Sequence, residues 1–354
     1  MSVTLNPTIT FNGKEAREGI LERMFNKPAF TRYHTIYSNI VAKEQIAFLQ
    51  RFSKLTKLEA GCGTGMTSKE IPMHEKFWEP VNTKIWLQLC WRDFIASFFV
   101  YGQKKGIDRN DLSGTDLMEY LMEVIPDAGL DDLWRIVWFG DEDISDYAGS
   151  PQGTLGDATD IPYYNLIDGL WKQIFAGVAI GAGTWGHIPH YAISENSGGT
   201  YTLQELAAAK SLTIFKQLLY QADDRLRDAS NKVILCTRSI MDNWNEYKES
   251  KTLESSFKRE DTYFTEGVFR GIPIYEVPVW DRLIQTDFDN GTTLYLPHRA
   301  IMTTVDQIAV GFDGFDKVDA FKAYLDDTTE LYNIKGGYKV DAKILENYMF
   351  SVAY

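Results

Sequence analysis

Cysteine is scarce: only Cys62, Cys90 and Cys236 occur in 354 residues, and no two form a CxxC pair. That excludes a disulfide framework and a thiolate zinc site, and it points to a reducing compartment. Histidine is nearly as rare, with His34, His74, His187, His190 and His298. His187 and His190 stand three apart, but Pro189 prevents the helix that would put both rings on one face. No acid lies within four residues of the pair, so no metal site is expected there. Positive charge is also short, with Lys+Arg 36 against Asp+Glu 49, a net charge of −13. A chain this acidic is a poor candidate for wrapping nucleic acid, because phosphate binding needs basic patches. Long apolar runs are missing as well. The longest uncharged stretch, Gln173–Ser194, is interrupted by Gly177, Gly181, Gly183, Gly186 and Pro189, whereas a spanning helix needs about 20 mostly apolar residues. It reads as a buried helix end followed by a strand, with no membrane partner. The opening MSVTLNPTITFNGKEAREG lacks the apolar core of a signal peptide.

What is present is ordinary globular composition, 44% hydrophobic and 24% charged, with length for roughly two domains. The charge is uneven. Residues 1–57 hold nine Lys/Arg against four acids, while residues 107–160 hold fourteen acids and two arginines. A basic leading segment on an acidic body reads as an arm that docks on neighbouring acidic surfaces.

Residues 1–40 carry Pro7, Gly13 and Pro28 and no sustained period, which suggests an extended arm with a short helix near Ala16–Met24. Glu44–Phe52 has helical spacing of Ile46, Leu49 and Phe52. Residues 58–90 alternate like strands, split by the turn-rich Gly61-Cys62-Gly63-Thr64-Gly65, and run into a helix at Arg92–Lys105. A long helix should start at Thr115 as N-cap and end at Gly140, with Leu117, Tyr120, Leu121, Val124, Leu133, Ile136 and Val137 as its apolar stripe. Pro126 and Gly129 predict a kink in it. After the acidic loop 140–162, helices are expected at Tyr164–Phe175, Leu203–Asp228 and Ser239–Lys248, with a strand at Asn231–Cys236. Strands follow at Val268–Val277, Thr292–Leu296, Ile301–Val310 and from Thr329 on, interrupted by a helix at Val318–Asp326. Helices and strands are segregated, which makes the class α+β.

The glycine cluster invites a chemical reading. Leu58-Glu-Ala-Gly61-Cys62-Gly63-Thr64-Gly65 resembles the first motif of S-adenosylmethionine-dependent methyltransferases, in which glycines let the backbone approach the cofactor. Pro72 stops the helix that should follow, and Glu79-Pro80 replaces the acid that should end a second strand. A loop tip at Gly61, Gly63 and Gly65 fits better, with no cofactor. Asp141-Glu-Asp143-Ile-Ser-Asp146 lacks the glycine and the final glutamate of a calcium loop. No nucleophile elbow is present. No catalytic, cofactor-binding or metal-ligating residue is therefore assigned, and the chain is not expected to be an enzyme.

Taken in order, the elements resemble the major capsid protein of tailed bacteriophages, with its Hong Kong 97-type coat fold. The match rests on Ile136-Val-Trp-Phe-Gly140-Asp141 at the end of the long helix and on Val233-Ile-Leu-Cys-Thr-Arg-Ser-Ile-Met-Asp-Asn-Trp244. It rests also on Phe269-Arg-Gly271-Ile-Pro273-Ile-Tyr-Glu-Val, followed by Thr293-Leu-Tyr-Leu, Arg299-Ala-Ile-Met and Ile308-Ala-Val. The resemblance implies an N-terminal arm (1–50), an extended hairpin (51–90) and a peripheral domain with the spine helix (91–162). A central axial domain (163–290), returning peripheral strands (291–340) and a last strand in the axial domain (341–354) complete it. Leu121, Val124, Leu133 and Val137 would form the spine-helix core, and Gly61, Gly63 and Gly65 the tip of a hairpin lying on a neighbouring subunit. The implied role is a shell protein that self-assembles into hexamers and pentamers of an icosahedral head around double-stranded DNA, built in the bacterial cytoplasm. The implied partners are further copies of itself, with portal, scaffold and decoration proteins, and DNA only non-specifically. An encapsulin-like cargo shell of the same fold and a methyltransferase are the alternatives.

Overall fold

A computed structural model describes residues 24–49, 73–90, 116–144, 161–250, 266–314, 322–326, 329 and 331–354. The earliest described residues are core residues. Met24, Phe25, Phe30 and Tyr33 are fully buried, and Phe25 stacks on Phe312 with ring centroids 4.4 Å apart. A short helix, Pro28–Thr31, leads to strand β1 (Thr35–Ser38), which runs parallel to β11 (Ile308–Phe312). The arm expected over 1–50 is therefore built into the body from residue 24 onward. Each of these large side chains gains about 1.5–3 kcal/mol by burial, more than a short segment gains by staying free.

Strand β2 (Gln45–Leu49) pairs antiparallel with β3 (Met73–Phe77), Gln45 opposite Phe77 and Leu49 opposite Met73. Within the helix expected at Glu44–Phe52, residues 45–49 are thus a strand, because a cross-strand partner outweighs weak local spacing, and residues 50–52 lie outside the described residues. The hairpin opens at Gln45 rather than at residue 51, and its expected tip at Gly61, Gly63 and Gly65 lies outside the described residues. It also closes earlier than residue 90. Strand β5 (Ile85–Cys90) belongs to a separate three-stranded sheet with β13 (Leu331–Gly336) and β12 (Lys322–Asp326) in the order β12-β13-β5. Residues 322–326, expected to end a helix, are one of its strands. Arg92–Lys105 lies outside the described residues.

The four-stranded sheet has the order β1-β11-β14-β4, with β14 at Lys339–Ile344 and β4 at Val81–Asn82. The long helix, Asp116–Phe139, shares one core with it and stops before Gly140, as expected. Pro126 lies inside the helix, which continues through it without interruption. Gly129 has a packing reason: a Cβ there would stand 2.7 Å from Met24 Sδ, so the glycine lets the N-terminal segment cross the helix closely.

A six-stranded mixed sheet forms the other half, in the order β6 (His190–Tyr191), β15 (Ser351–Ala353), β10 (Ala300–Thr304), β7 (Lys232–Cys236), β9 (Ile272–Glu276), β8 (Glu266–Phe269). Helices Lys210–Gln221 and Arg238–Ser250 bury Ile214, Phe215, Leu218, Ile240, Met241 and Trp244 against it. Several boundaries differ from expectation. Tyr164–Phe175 is two helices, Ile161–Tyr164 and Leu170–Ala179, because the chain turns at Gly169 to pass Gly140. Leu203–Asp228 divides into a 3-10 turn (Tyr201–Gln204), the 210–221 helix and a short helix Asp224–Asp228. Ile301–Val310 divides between β10 and β11 at a 3-10 turn, Val305–Gln307, which hands the chain from one sheet to the other. Thr292–Leu296 forms only a single bridge, Asp289 to Leu294. Helix Pro278–Asp287 follows Pro278 at its first turn, where the missing N–H costs nothing. At Arg270-Gly271 both φ angles are positive, the two-residue turn a tight hairpin between β8 and β9 requires.

Candidate assembly surfaces

The expected site residues divide three ways. Leu133 and Val137 are fully buried, in one core with Ile301, Val310, Val340 and Trp280. Leu121 and Val124 fall in the long helix, but their side chains lie outside the described residues, as do Gly61, Gly63 and Gly65. On the outer face, exposed Asp131 accepts from Arg282 at 2.7 Å, which ties the long helix to helix 278–287.

The hairpin is fastened to its own body at its base. Lys76 donates through Nζ to Ile344 O (2.5 Å) and to Asn347 Oδ1 (2.7 Å). Burial, with Lys343 nearby, pushes the Lys76 ammonium down to about 8. His74 on the same strand stacks on Trp185 at 3.8 Å. Trp78 packs with Ile40 and Ala309 in a small core. The alternate residues Gln45, Ala47, Glu75 and Phe77 face solvent. Tyr37, Val41 and Phe77 add exposed apolar surface near this base.

A second exposed patch lies on the three-stranded sheet. Trp86 is 50% exposed, and two ammonium groups lie over its indole ring: Lys84 Nζ is 4.2 Å and Lys335 Nζ 4.3 Å from the ring centroid. Trp86 Nε1–H donates to Asn333 Oδ1 at 3.2 Å. Sequence reading missed both Lys76 and Trp86. Their hydrogen-bond partners lie some 250 residues further along, and no local pattern marks them.

The chemical candidates resolve into structural roles. His187 Nδ1 pairs with Ile180 O (2.6 Å), and His190 Nε2 with Tyr354 O (3.2 Å), so the two rings serve different loops. Asp141 and Asp143 both take Lys172 Nζ. Among the described residues no group of three His, Cys, Asp or Glu side chains could hold a metal ion. A pocket of about 320 Å³ lies between helices 238–250 and 278–287, lined by Glu205, Ser239, Asp242, Glu246, Asp281 and His298 among others. Ser239 Oγ lies 2.7 Å from His298 Nδ1, and His298 Nε2 pairs with Gln204 O, which ties the 201–204 turn to helix 238–250. Asp281 accepts from Arg238 N at 2.9 Å, and burial raises its carboxyl to about 7. Cys236 is buried and free. The sheets are separate, two of them mixed in direction and two antiparallel. Among the described residues they do not build one doubly wound sheet, and Gly61, Gly63 and Gly65 of the methyltransferase reading lie outside those residues. No described helix is long and apolar enough to cross a membrane.

No family model and no curated protein matches the sequence. Solved structures do. The capsid of a native GTA particle aligns with 94% of this chain and 89% of its own, at TM-score 0.54 and 10% identity. The procapsid of satellite phage P4, which includes the size determination protein Sid, aligns with 99% and 92%, at 0.51 and 9%. A structure from Gordonia phage Cozz aligns with 91% and 84%, at 0.51 and 11%. Each likeness spans nearly the whole chain. The chain has the α+β fold of phage-type capsid proteins, as the order of its motifs implied.

Proposed function

We propose that this chain is the major coat subunit of a tailed-phage-type head, a structural protein that assembles with copies of itself into hexamers and pentamers of an icosahedral shell. The observation that carries the reading is the near-complete overlap with phage and GTA capsid folds. The surface supports it. Aromatic side chains such as Phe77 and Trp86, open to solvent, suit a subunit completed by its neighbours. The acidic balance suits a container that holds double-stranded DNA without adhering to it. In this reading the subunits assemble in a bacterial cytoplasm and reside in the virion. The residues Gly61, Gly63 and Gly65 reach an adjacent subunit, and portal, scaffold and decoration proteins are further partners. The test is direct. Purified protein examined by sedimentation velocity and negative-stain microscopy should show shells, rings or capsomers. A clean 40 kDa monomer at high concentration would overturn the proposal.

A further inference from the structure

Residues 79–90 form the outer edge of two sheets at once. Among the described residues β4 pairs only with β14, and β5 only with β13, so no described strand occupies the second side of either. An open edge offers backbone donors and acceptors to another strand, and soluble proteins normally block it or use it. The charge along this edge changes sign. At one end Glu79 is 74% exposed. With exposed Glu142 and Asp143 and half-buried Asp168 it forms an acidic surface over the buried Asp141 and Asp341, and among the described residues Lys172 and Lys343 pair with this group. Burial, then Asp168 and Glu79, hold the Glu142 carboxyl above its ordinary range, as expected where carboxylates crowd. At the other end Lys84 and Lys335 flank the half-exposed Trp86, which stands directly across from Lys335 in the ladder.

A strip with acid at one end and a cationic aromatic cluster at the other is self-complementary in one direction only. Two parallel copies would set acid on acid and lysine on lysine. Two antiparallel copies, related by a two-fold axis near residue 82, bring the Glu79 end of each edge beside the Lys84 end of the other. We infer that the 79–90 edge is a contact between two copies of this chain, related by a two-fold axis, with the Lys84–Trp86–Lys335 cluster of each seated on the acidic patch of the other. The inference rests on the self-assembling role proposed above and names one of its interfaces. A contact of this kind is isologous, and it joins subunits in pairs, where head-to-tail contacts close rings.

The test is a charge swap read by sedimentation and microscopy. Lys84→Glu and Glu79→Lys should each weaken association by about tenfold or more, as loss of a close interfacial charge pair does. Each variant should keep the wild-type melting temperature, since both side chains are exposed. The double variant, Glu79→Lys with Lys84→Glu, should recover association to within a few-fold of wild type. Trp86→Ala should weaken it without rescue by either swap. Single reversals that assemble as wild type, or a double variant no better than the worse single one, would overturn the inference. Wild-type shells in the same series would leave the coat-protein reading standing. A wild-type chain that stays monomeric would remove both.

Discussion

Gly169 N–H donates to Gly140 O at 2.9 Å, and this backbone contact joins the end of the long helix to the start of the helix Leu170–Ala179. Neither residue has room for a Cβ. One at Gly140 would lie 2.4 Å from Ile167 O, and one at Gly169 would lie 2.7 Å from Gly140 N. Both obstacles are backbone, which cannot rotate aside as a side-chain end can.

Gly140→Ala and Gly169→Ala should therefore each destabilise the subunit by about 1–3 kcal/mol, the usual cost of overpacking. Urea denaturation of the soluble subunit measures it. An unchanged midpoint in both variants would show that the joint can open.

Truncating Leu133 to Ala should cost about 2–5 kcal/mol, because this fully buried side chain leaves a cavity. Asp131→Ala, which removes only an exposed ion pair with Arg282, should cost at most about 1 kcal/mol. The expected contrast is aggregation or low yield for the first and normal subunits for the second. Equal thermal midpoints for the two would contradict the packing described.

Arg299 is buried to 1% exposure, with its guanidinium 4.8 Å from the Trp171 ring centroid and 5.1 Å from that of Phe139. Its Nε donates to Leu296 O at 2.9 Å and its Nη2 to Tyr295 O at 3.2 Å. Burial lowers its pKa to about 10. A lysine cannot reproduce this planar fork. Arg299→Lys should lose about 1.5–3 kcal/mol through the carbonyls it leaves unpaired. A calorimetric melt unchanged from wild type would show that the fork is dispensable.

His34 supplies a pH dependence. Its Nδ1–H donates to Phe30 O at 2.8 Å, and its Nε2 accepts from Trp138 Nε1–H at 2.8 Å, so the partners require the neutral ring. Burial pushes its pKa down to about 3. The unfolded chain binds this proton below about 6.5 and the folded chain does not, so stability falls as pH drops from about 6.5 toward 3. Burial lowers His190 and His298 as well, and both add to the same trend. Urea midpoints measured from pH 7.5 to 4.5 should decline. His34→Gln, which still accepts from Trp138 but does not titrate, should show a shallower decline. An identical slope would show that His34 is not among the titrating groups.

The long helix was legible because its signals agree: apolar spacing through Leu133 and Val137, and a glycine just past Phe139. Gly140 ends it through close approach to residues 167 and 169 rather than through a left-handed turn, a reason that no spacing reveals. Val233–Cys236 and the helix after it were legible for the same cause, a short apolar run followed by an amphipathic one. Residues 24–38 misled because their partners, Phe312 and the β11 strand, arrive almost at the other end of the chain. Gln45–Leu49 misled because five residues can satisfy helical spacing by accident, and only Met73–Phe77 settles their form. The surface sites followed the same rule. Leu133 and Val137 could be named from their own helix, whereas Lys76 and Trp86 acquire meaning only from Asn347 and Lys335.

The closure of β1 onto β11 also sets a clock for synthesis. Thr35 Oγ1 donates to Val305 O across 270 residues of chain, and a ribosome adding about 5–20 residues per second needs roughly 15 to 55 seconds to cover that interval. Through that time Phe25, Phe30 and Tyr33 have no finished sheet to cover them, and the nascent chain is the species most exposed to capture by chaperones or to aggregation. The four-stranded sheet is completed only when β14 emerges. No partial chain can then present the 79–90 edge in its native form, and the assembly proposed above would be confined to chains whose synthesis has passed residue 344.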